Sequence, residues 1–168
     1  EAPPRQLTFV KSGESSVTWS PDGERFAFTA KREGDEAAQV YVLDLARGGE
    51  AQRVTAVSTG AQQPRFSPDG TRIAFTARVH PEAMNDADSE RIAKEEKERK
   101  YEVHAYEGFP IRHWDRWLDP DRQPRLLVQT IGADEAVDLL AGTELAREPG
   151  FYAAGGLDPA WAPDGESI

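Results

Sequence analysis

Apolar and polar positions alternate along two short stretches of the chain, residues 26–30 and 73–77. Alternation with a period of two predicts a strand that has one face on a core. Both stretches follow a Pro-Asp-Gly tripeptide, at residues 21–23 and 68–70. Proline fixes φ at the second turn position and glycine supplies a positive φ, so each tripeptide predicts the turn of a hairpin.

The two hairpins belong to a repeat of 47 residues. The aromatic residue before the turn is Trp19 in the first copy and Phe66 in the second, 47 positions later. An apolar residue followed by threonine recurs at the same spacing and ends at Thr8 and Thr55. A third copy of the turn follows Trp161, 95 positions after Phe66, which is about two periods. Two markers with one period indicate a structural repeat.

Each repeat is predicted to hold four strands. After the hairpin, a third strand is expected at residues 39–45, where both faces are apolar, and a short fourth strand near residues 52–57. The markers are not separated by the apolar period of a helical repeat. Four strands in a repeat of this length are typical of a β-propeller blade. The predicted fold class is therefore all-β: a partial β-propeller of four-stranded antiparallel blades with a helical insertion.

The repeat divides residues 1–168 into blades and parts of blades. We expect the end of a blade at residues 5–10, a blade at 15–57, a blade at 61–141 that carries an insertion at 79–123, and the start of a next blade at 157–168. Propellers typically close with about four to eight blades. The chain is thus expected to be an incomplete propeller within a larger protein.

The insertion differs in composition from the repeats, and its first half predicts a helix. Residues 89–100 are rich in acidic and basic side chains, and Ser89 is the expected N-cap. Glu90 and Lys94 form one of three i, i+4 pairs in which the acid comes first, the more stabilising order. Because few of these residues are apolar, we expect a solvated helix on the rim of the propeller. A helix that docks a partner is the alternative.

The composition of the chain excludes several classes of partner and several kinds of chemistry. The chain has 20 basic and 30 acidic residues, a net charge of −10, which argues against nucleic acid and anionic membranes as partners. It has no cysteine, which excludes disulfides and a thiol nucleophile, and no apolar run long enough to span a bilayer. No nucleophile elbow, phosphate-binding glycine loop or dinucleotide fingerprint occurs, so we predict no catalytic residue and no cofactor here. We expect a cytoplasmic location, with the periplasm as the alternative.

The second half of the insertion concentrates the residues suited to binding a ligand. Arg112, Trp114, Arg116 and Trp117 lie within six positions of one another. Arginine binds carboxylates and tryptophan packs on apolar groups, so we predict that these four residues contact a substrate. The alternative is aromatic packing beneath a long loop, with arginine–aspartate pairs at its rim.

Histidines give little support to a metal site. The three histidines are His80, His104 and His113, and no two of them are four residues apart. We therefore predict no metal, and a site formed by His104, His113 and Asp115 is the alternative. The aspartates of the Pro-Asp-Gly turns are expected to bond the local backbone, since one carboxylate per turn is too few for calcium.

The order of motifs along the chain resembles that of one family. The sequence Phe-Ser-Pro-Asp-Gly-Thr-Arg-Ile-Ala-Phe-Thr-Ala (66–77) stands directly before the charged insertion. Ile-Arg-His-Trp-Asp (111–115) precedes Trp-Leu-Asp (117–119), and Arg-Gln-Pro-Arg-Leu-Leu-Val (122–128) forms the return strand. From about residue 5 to residue 168, this order is similar to the N-terminal propeller of acylaminoacyl-peptidase-like members of the prolyl oligopeptidase family. The resemblance implies a serine peptidase in which a downstream α/β-hydrolase domain supplies a Ser-Asp-His triad and the propeller admits short peptides.

The resemblance gives the candidate residues a role and leaves a second hypothesis open. In such a peptidase, Arg112 and Arg116 would bind the terminal carboxylate of a short peptide, between walls formed by Trp114 and Trp117. The implied partners are the hydrolase domain and the peptide, and a homo-oligomer is a further option. The second hypothesis is a non-enzymatic, Tol-type propeller that binds other proteins, because many bacterial propellers share the Trp-Ser-Pro-Asp-Gly motif.

Overall fold

The computed structural model of the chain covers most of both repeats and parts of the insertion. The described residues are 3, 6–8, 13–99, 112–113, 116–117, 119, 121–146 and 156–168. Half of the blade end expected at residues 5–10 falls outside them, because only residues 6–8 are described. Within these ranges the chain is mostly β-structure, and none of the helices found there is both long and apolar enough to cross a membrane.

The first sheet has four antiparallel strands in chain order: β1 (Glu14–Trp19), β2 (Arg25–Ala30), β3 (Gln39–Asp44) and β4 (Gln52–Arg53). Trp19 pairs with Phe26 across the first turn, which confirms the predicted hairpin. β4 is shorter than expected because the regular ladder ends near Thr55. The hydroxyl of Thr55, rather than a backbone carbonyl, accepts the amide of Val40 at 2.9 Å.

The second sheet is interrupted by the insertion. Its first hairpin consists of β5 (Gln62–Phe66) and β6 (Arg72–Val79). Residues 80–122 then hold the helix α1 (Asp86–Glu98) and the short strands β7 (Arg112–His113) and β8 (Arg116–Trp117). The chain returns as β9 (Gln123–Thr130) and β10 (Val137–Asp138). The strand order is β10-β9-β6-β5, so the insertion connects the two middle strands of the sheet.

The N-cap of α1 lies four residues earlier than predicted. Asn85, rather than Ser89, caps the helix, because its side chain accepts a hydrogen bond from the Asp88 amide at 2.9 Å. Acidic residues in the first turn also lie at the positive end of the helix dipole. Ser89 is buried one turn into the helix, where it donates to the Asn85 carbonyl. On the exposed side, Arg91 pairs with Glu95 at 3.0 Å, so that surface is charged as expected.

The main core lies between the two sheets. One buried cluster combines apolar side chains of both sheets and one of the helix, among them Ala27, Val40, Phe66, Phe75, Leu127 and Ile92. A second cluster covers the other face of the first sheet and contains Phe26, Phe28, Ala30, Tyr41 and Leu43. The strand β2 is therefore buried on both faces, whereas its alternating pattern predicted burial of one face only.

The second Pro-Asp-Gly turn shows how each aspartate acts. Asp69 accepts hydrogen bonds from the Ser67 hydroxyl at 2.5 Å and from the Thr71 amide at 2.9 Å. These bonds, with that of Ser67 first, lower the pKa of Asp69 to about 2. Gly70 has a φ of 68°, which favours glycine. In the first and third turns the aspartate likewise accepts a hydrogen bond from a backbone amide, so the predicted turn-forming role is confirmed.

An arginine two residues after the turn glycine reaches the next repeat. Arg25 Nη2 donates to the Gly70 carbonyl oxygen at 3.1 Å, and the guanidinium carbon lies 5.7 Å from the centre of the Phe66 ring. Arg72 makes the same two contacts with the third repeat. We call this pair of interactions the arginine contact. It joins each described repeat to the one that follows it.

Candidate functional site

The predicted substrate-binding segment contains a short antiparallel hairpin. Arg112 is the Cα partner of Trp117, and His113 is the partner of Arg116. The structure therefore brings three of the four predicted substrate contacts onto one two-stranded element, and the side chain of Arg112 is exposed. Trp114 lies outside the described residues. The substrate contacts themselves stay a prediction.

The alternative metal site cannot be placed, because His104 and Asp115 also fall outside the described residues. His113 lies in β7. Long-range packing instead brings His80, Glu96 and Asp121 together, with possible ligand atoms within 4.8 Å of one another. Sequence spacing gave no signal for this cluster, because its members follow β6, lie in α1 and precede β9.

The cluster of His80, Glu96 and Asp121 has nitrogen and oxygen donors of the kind that bind transition metals. Two of these possible ligand atoms already accept hydrogen bonds. His80 Nδ1 accepts the amide of Glu82 at 3.2 Å, and Glu96 Oε2 accepts a charged hydrogen bond from Arg122 at 2.7 Å. Because a metal would compete with these bonds, we interpret the cluster as an anchor of the insertion and assign no metal to it.

A buried arginine fixes the start of the insertion. The side chain of Arg125 in β9 is fully buried, and its Nη1 donates to Asp138 Oδ2 at 3.2 Å. Its Nη2 donates to the Pro81 carbonyl oxygen at 2.8 Å. A buried charge is stable only when it is paired and hydrogen-bonded, so these bonds hold the turn at residues 80–83 against the sheet. The sequence placed Arg125 in the return strand but gave no sign of this role.

A cavity of about 710 Å³ lies beside the start of α1. Val57, Val79 and Leu127 provide part of its apolar lining. Five carboxylate residues also line it: Asp86, Glu90, Asp134, Glu135 and Asp138. Its described lining includes no lysine or arginine and none of the four predicted substrate residues. Asp138 is already paired with Arg125, and Asp86 accepts hydrogen bonds from Ser58. The lining therefore suits a ligand with an apolar part and a cationic group mainly through Glu90, Asp134 and Glu135.

Ionised groups also brace the first sheet. Asp35 accepts the Tyr41 hydroxyl at 2.5 Å and Arg53 Nη1 at 3.0 Å. Burial, followed by the hydrogen bond to Asp35, raises the pKa of Tyr41 to about 12. Burial opposes ionisation of Asp35, but hydrogen bonds from Tyr41 and other donors outweigh it and lower the pKa of Asp35. This group stabilises the fold and lies on the sheet that lacks the insertion.

Two four-stranded antiparallel sheets, which share a repeated hairpin turn and are joined by the arginine contact, define the chain as part of a β-propeller. No model of a known protein family matches the sequence, and no curated protein does. Solved structures match in fold. A protein assigned as TolB from Agrobacterium tumefaciens has a TM-score of 0.51 and 17% identity, over 95% of this chain and 42% of that one.

Acylaminoacyl peptidases match to a similar degree. The enzyme from Pyrococcus horikoshii has a TM-score of 0.50 and 18% identity, over 77% of this chain and 17% of the enzyme. A peptidase in complex with Z-Gly-Gly-Phe-chloromethyl ketone has a TM-score of 0.50 and 16% identity, over 78% of this chain and 18% of that chain. The chain therefore spans under half of the TolB protein and under a fifth of each peptidase. Identities this low show the fold alone.

Proposed function

We propose that the chain is the propeller segment of a serine peptidase that hydrolyses short peptides or acyl-aminoacyl peptides. In this role it controls access to a catalytic domain and helps to recognise the substrate. The observation that carries the proposal is the order of motifs at residues 66–77, 111–119 and 122–128. The fold likeness to acylaminoacyl peptidases supports it.

The anchored insertion suits a role in recognition. Arg125 fixes its first turn to β9, and Arg122 joins its helix to the start of the same strand through Glu96. A loop held at both ends by a rigid scaffold can present side chains at fixed positions, which is how many binding sites are built. The hairpin of β7 and β8 lies within this anchored segment.

Arginine on that hairpin fits the free end of a short peptide. A guanidinium offers two parallel donors and stays charged, so it binds a terminal carboxylate better than other side chains do. The carboxylates around the cavity beside α1 suit the amino group of a peptide in the same way. We therefore assign Arg116 and Arg112 to the substrate carboxylate, with Trp114 and Trp117 as apolar walls.

This assignment can be tested by labelling and by kinetic measurements on the parent protein. A serine-directed organophosphorus probe should label it outside residues 1–168. Arg116→Ala or Arg112→Ala should raise KM for peptides with a free carboxylate about tenfold or more, while peptides with an amidated terminus change little. Arg47→Ala is the matched control, because that side chain is 89% exposed in the turn that follows β3. An equal loss on both peptide types, with a lowered Tm, would leave these arginines a structural role only.

A Tol-type propeller that binds other proteins is the second candidate. It is favoured by the TolB match, which covers 95% of this chain against 77% for the Pyrococcus peptidase. A coding sequence that ends after the propeller, and a parent protein that the probe does not label, would support it. A downstream G-x-S-x-G motif followed by Asp and His would support the peptidase.

A further inference from the structure

The cavity beside the start of α1 has apolar side chains from its buried part to its mouth. Val57, Val79 and Leu127 line it and are almost fully buried. Met84 and Val137 line it too, but they are 55% and 63% exposed. Its volume of about 710 Å³ is usual for a ligand site. The cavity therefore offers an apolar surface that an apolar group of a ligand can cover.

Negative charge surrounds this apolar surface, and the protein neutralises little of it. Three of the five lining carboxylates have exposed side chains: Glu90, Asp134 and Glu135. Within the described part of the chain, none of these three forms an ion pair. Asp86 accepts hydrogen bonds from the amide and the hydroxyl of Ser58, which are uncharged donors. Only Asp138 is paired with a described cation, Arg125. Four negative charges beside apolar groups attract a cationic ligand.

The carboxylates of the cavity are too far apart to share one metal ion. Among the residues that the structure describes, three possible ligand atoms lie within 4.8 Å of one another only at His80, Glu96 and Asp121, and none of these residues lines the cavity. A calcium ion takes about six to eight oxygen ligands at one point. Carboxylates spread around an apolar surface instead suit several cationic groups that are held apart along one chain.

We propose that the cavity binds a peptide segment in which lysine or arginine flanks an apolar side chain. The apolar side chain packs on Leu127 and Val137. The cationic groups lie beside Glu90 of α1 and Glu135 of the loop before β10. The aliphatic part of a lysine or arginine side chain can also cover exposed Met84 while its charged end stays in water. This binding recognises the side chains of the segment, and it is independent of hydrolysis and of the terminal carboxylate.

Calorimetric titration of the parent protein with a blocked peptide tests the proposal. The probe is acetyl-Lys-Leu-Lys-Leu-Lys-amide, which has no free terminus for Arg112 or Arg116 to bind. The protein is first treated with the organophosphorus probe, so that a serine peptidase would not hydrolyse the peptide. Replacing both leucines by serine keeps the charge and should weaken binding about tenfold or more. Replacing the lysines by glutamate should abolish it. No binding of the first peptide, or equal binding of the serine peptide, overturns the proposal.

Two double variants with the same loss of charge locate the site. Glu90→Gln/Glu135→Gln removes two exposed carboxylates of the cavity, and Glu33→Gln/Glu36→Gln removes two exposed carboxylates between β2 and β3. The cavity variant should bind the probe peptide about three- to tenfold more weakly, because two ion pairs are lost. The control variant should bind it like the unchanged protein. Equal weakening in both would show attraction to the net charge alone and overturn the proposal.

Two exposed strand valines provide the matching test of the apolar contact. Val137→Thr keeps the branched shape in the cavity and should weaken binding of the probe peptide about threefold or more. Val17→Thr is the control, because Val17 is 59% exposed on β1 and lies outside the cavity lining. Equal effects of the two variants contradict the assigned contact.

Hexylamine distinguishes a peptide segment from a small amine, since it has an apolar chain but a single cation. It should bind at least about tenfold more weakly than the probe peptide. Equal affinity would make the cavity a site for small amines and overturn the peptide assignment. The binding results do not depend on labelling of a serine, so the proposed peptidase and the peptide site in the cavity can be refuted separately.

Discussion

The turn glycines Gly70 and Gly23 provide a test of how strongly the repeats are joined. Their φ values are 68° and 72°, so alanine is strained to the same extent at both positions. Their surroundings differ. A Cβ on Gly70 would lie 2.9 Å from Arg25 Nη2, and a Cβ on Gly23 would lie in open space. Gly23→Ala is therefore a matched control for Gly70→Ala.

The two substitutions should differ by the value of the arginine contact. Left-handed strain costs about 1 kcal/mol for a residue with a side chain and applies to both. At Gly70 the new methyl also displaces the guanidinium of Arg25. A charged hydrogen bond contributes about 1.5–3 kcal/mol and a cation–π contact about 0.5–1 kcal/mol. Because Arg25 is 25% exposed and water can replace its partner, we take the low end. We expect losses of about 3 kcal/mol for Gly70→Ala and about 1 kcal/mol for Gly23→Ala.

Urea unfolding followed by tryptophan fluorescence and by circular dichroism gives both free energies. The double variant Gly70→Ala/Arg25→Met should be little less stable than Gly70→Ala, since the contact is already lost. Equal losses for Gly70→Ala and Gly23→Ala would refute the reasoning. They would show that Arg25 finds an equivalent position beside the methyl group.

Two further predictions concern buried ionisable side chains. Arg125→Met should lower the free energy of unfolding by about 3–5 kcal/mol, because it leaves the carboxylate of Asp138 buried without its partner; Arg125→Met/Asp138→Leu should recover part of the loss in the same urea assay. In the unfolded chain Tyr41 loses its proton near the ordinary tyrosine pKa of 10.0, whereas in the folded protein its pKa is about 12. Between these pH values only the folded protein keeps the proton. Stability should therefore fall between about pH 10 and 12, by up to about 1.4 kcal/mol per pH unit. Tyr41→Phe should lack this part of the slope, and parallel pH profiles for the two proteins would contradict the assignment.

Local chemistry made the hairpins and turns predictable from the sequence. Proline and glycine fix the turn at residues 68–70 through their own backbone preferences, and alternation then fixes the strand that follows. The predicted end of the fourth strand was wrong because, at Thr55, a side-chain hydroxyl and not a backbone carbonyl accepts the amide of the neighbouring strand. A β-bulge in the first strand of each sheet also gave no signal, although its positive-φ residues, Ser16 and Gln63, are 47 positions apart.

The insertion was less predictable because its contacts are long-range. The predicted N-cap is wrong because the i, i+4 charge pairs begin just after Ser89, whereas the helix already begins at Asp86, after its cap Asn85. Arg125 and the cluster around His80 depend on segments about 40 residues apart in sequence, which no spacing rule relates. Composition alone marks the residues at 112–117 as candidate substrate contacts. Their pairing in a hairpin required the structure.

The insertion also affects the order in which the two sheets form. The middle strands of the first sheet, β2 and β3, are joined by residues 31–38, whereas β6 and β9 are joined by residues 80–122. Closing a loop of 43 residues instead of 8 costs about 1.5 kcal/mol more in chain entropy, which must be met before the pair forms. The first sheet can therefore assemble early from local contacts. We expect the second sheet to assemble later, against the first sheet with which it shares the main core.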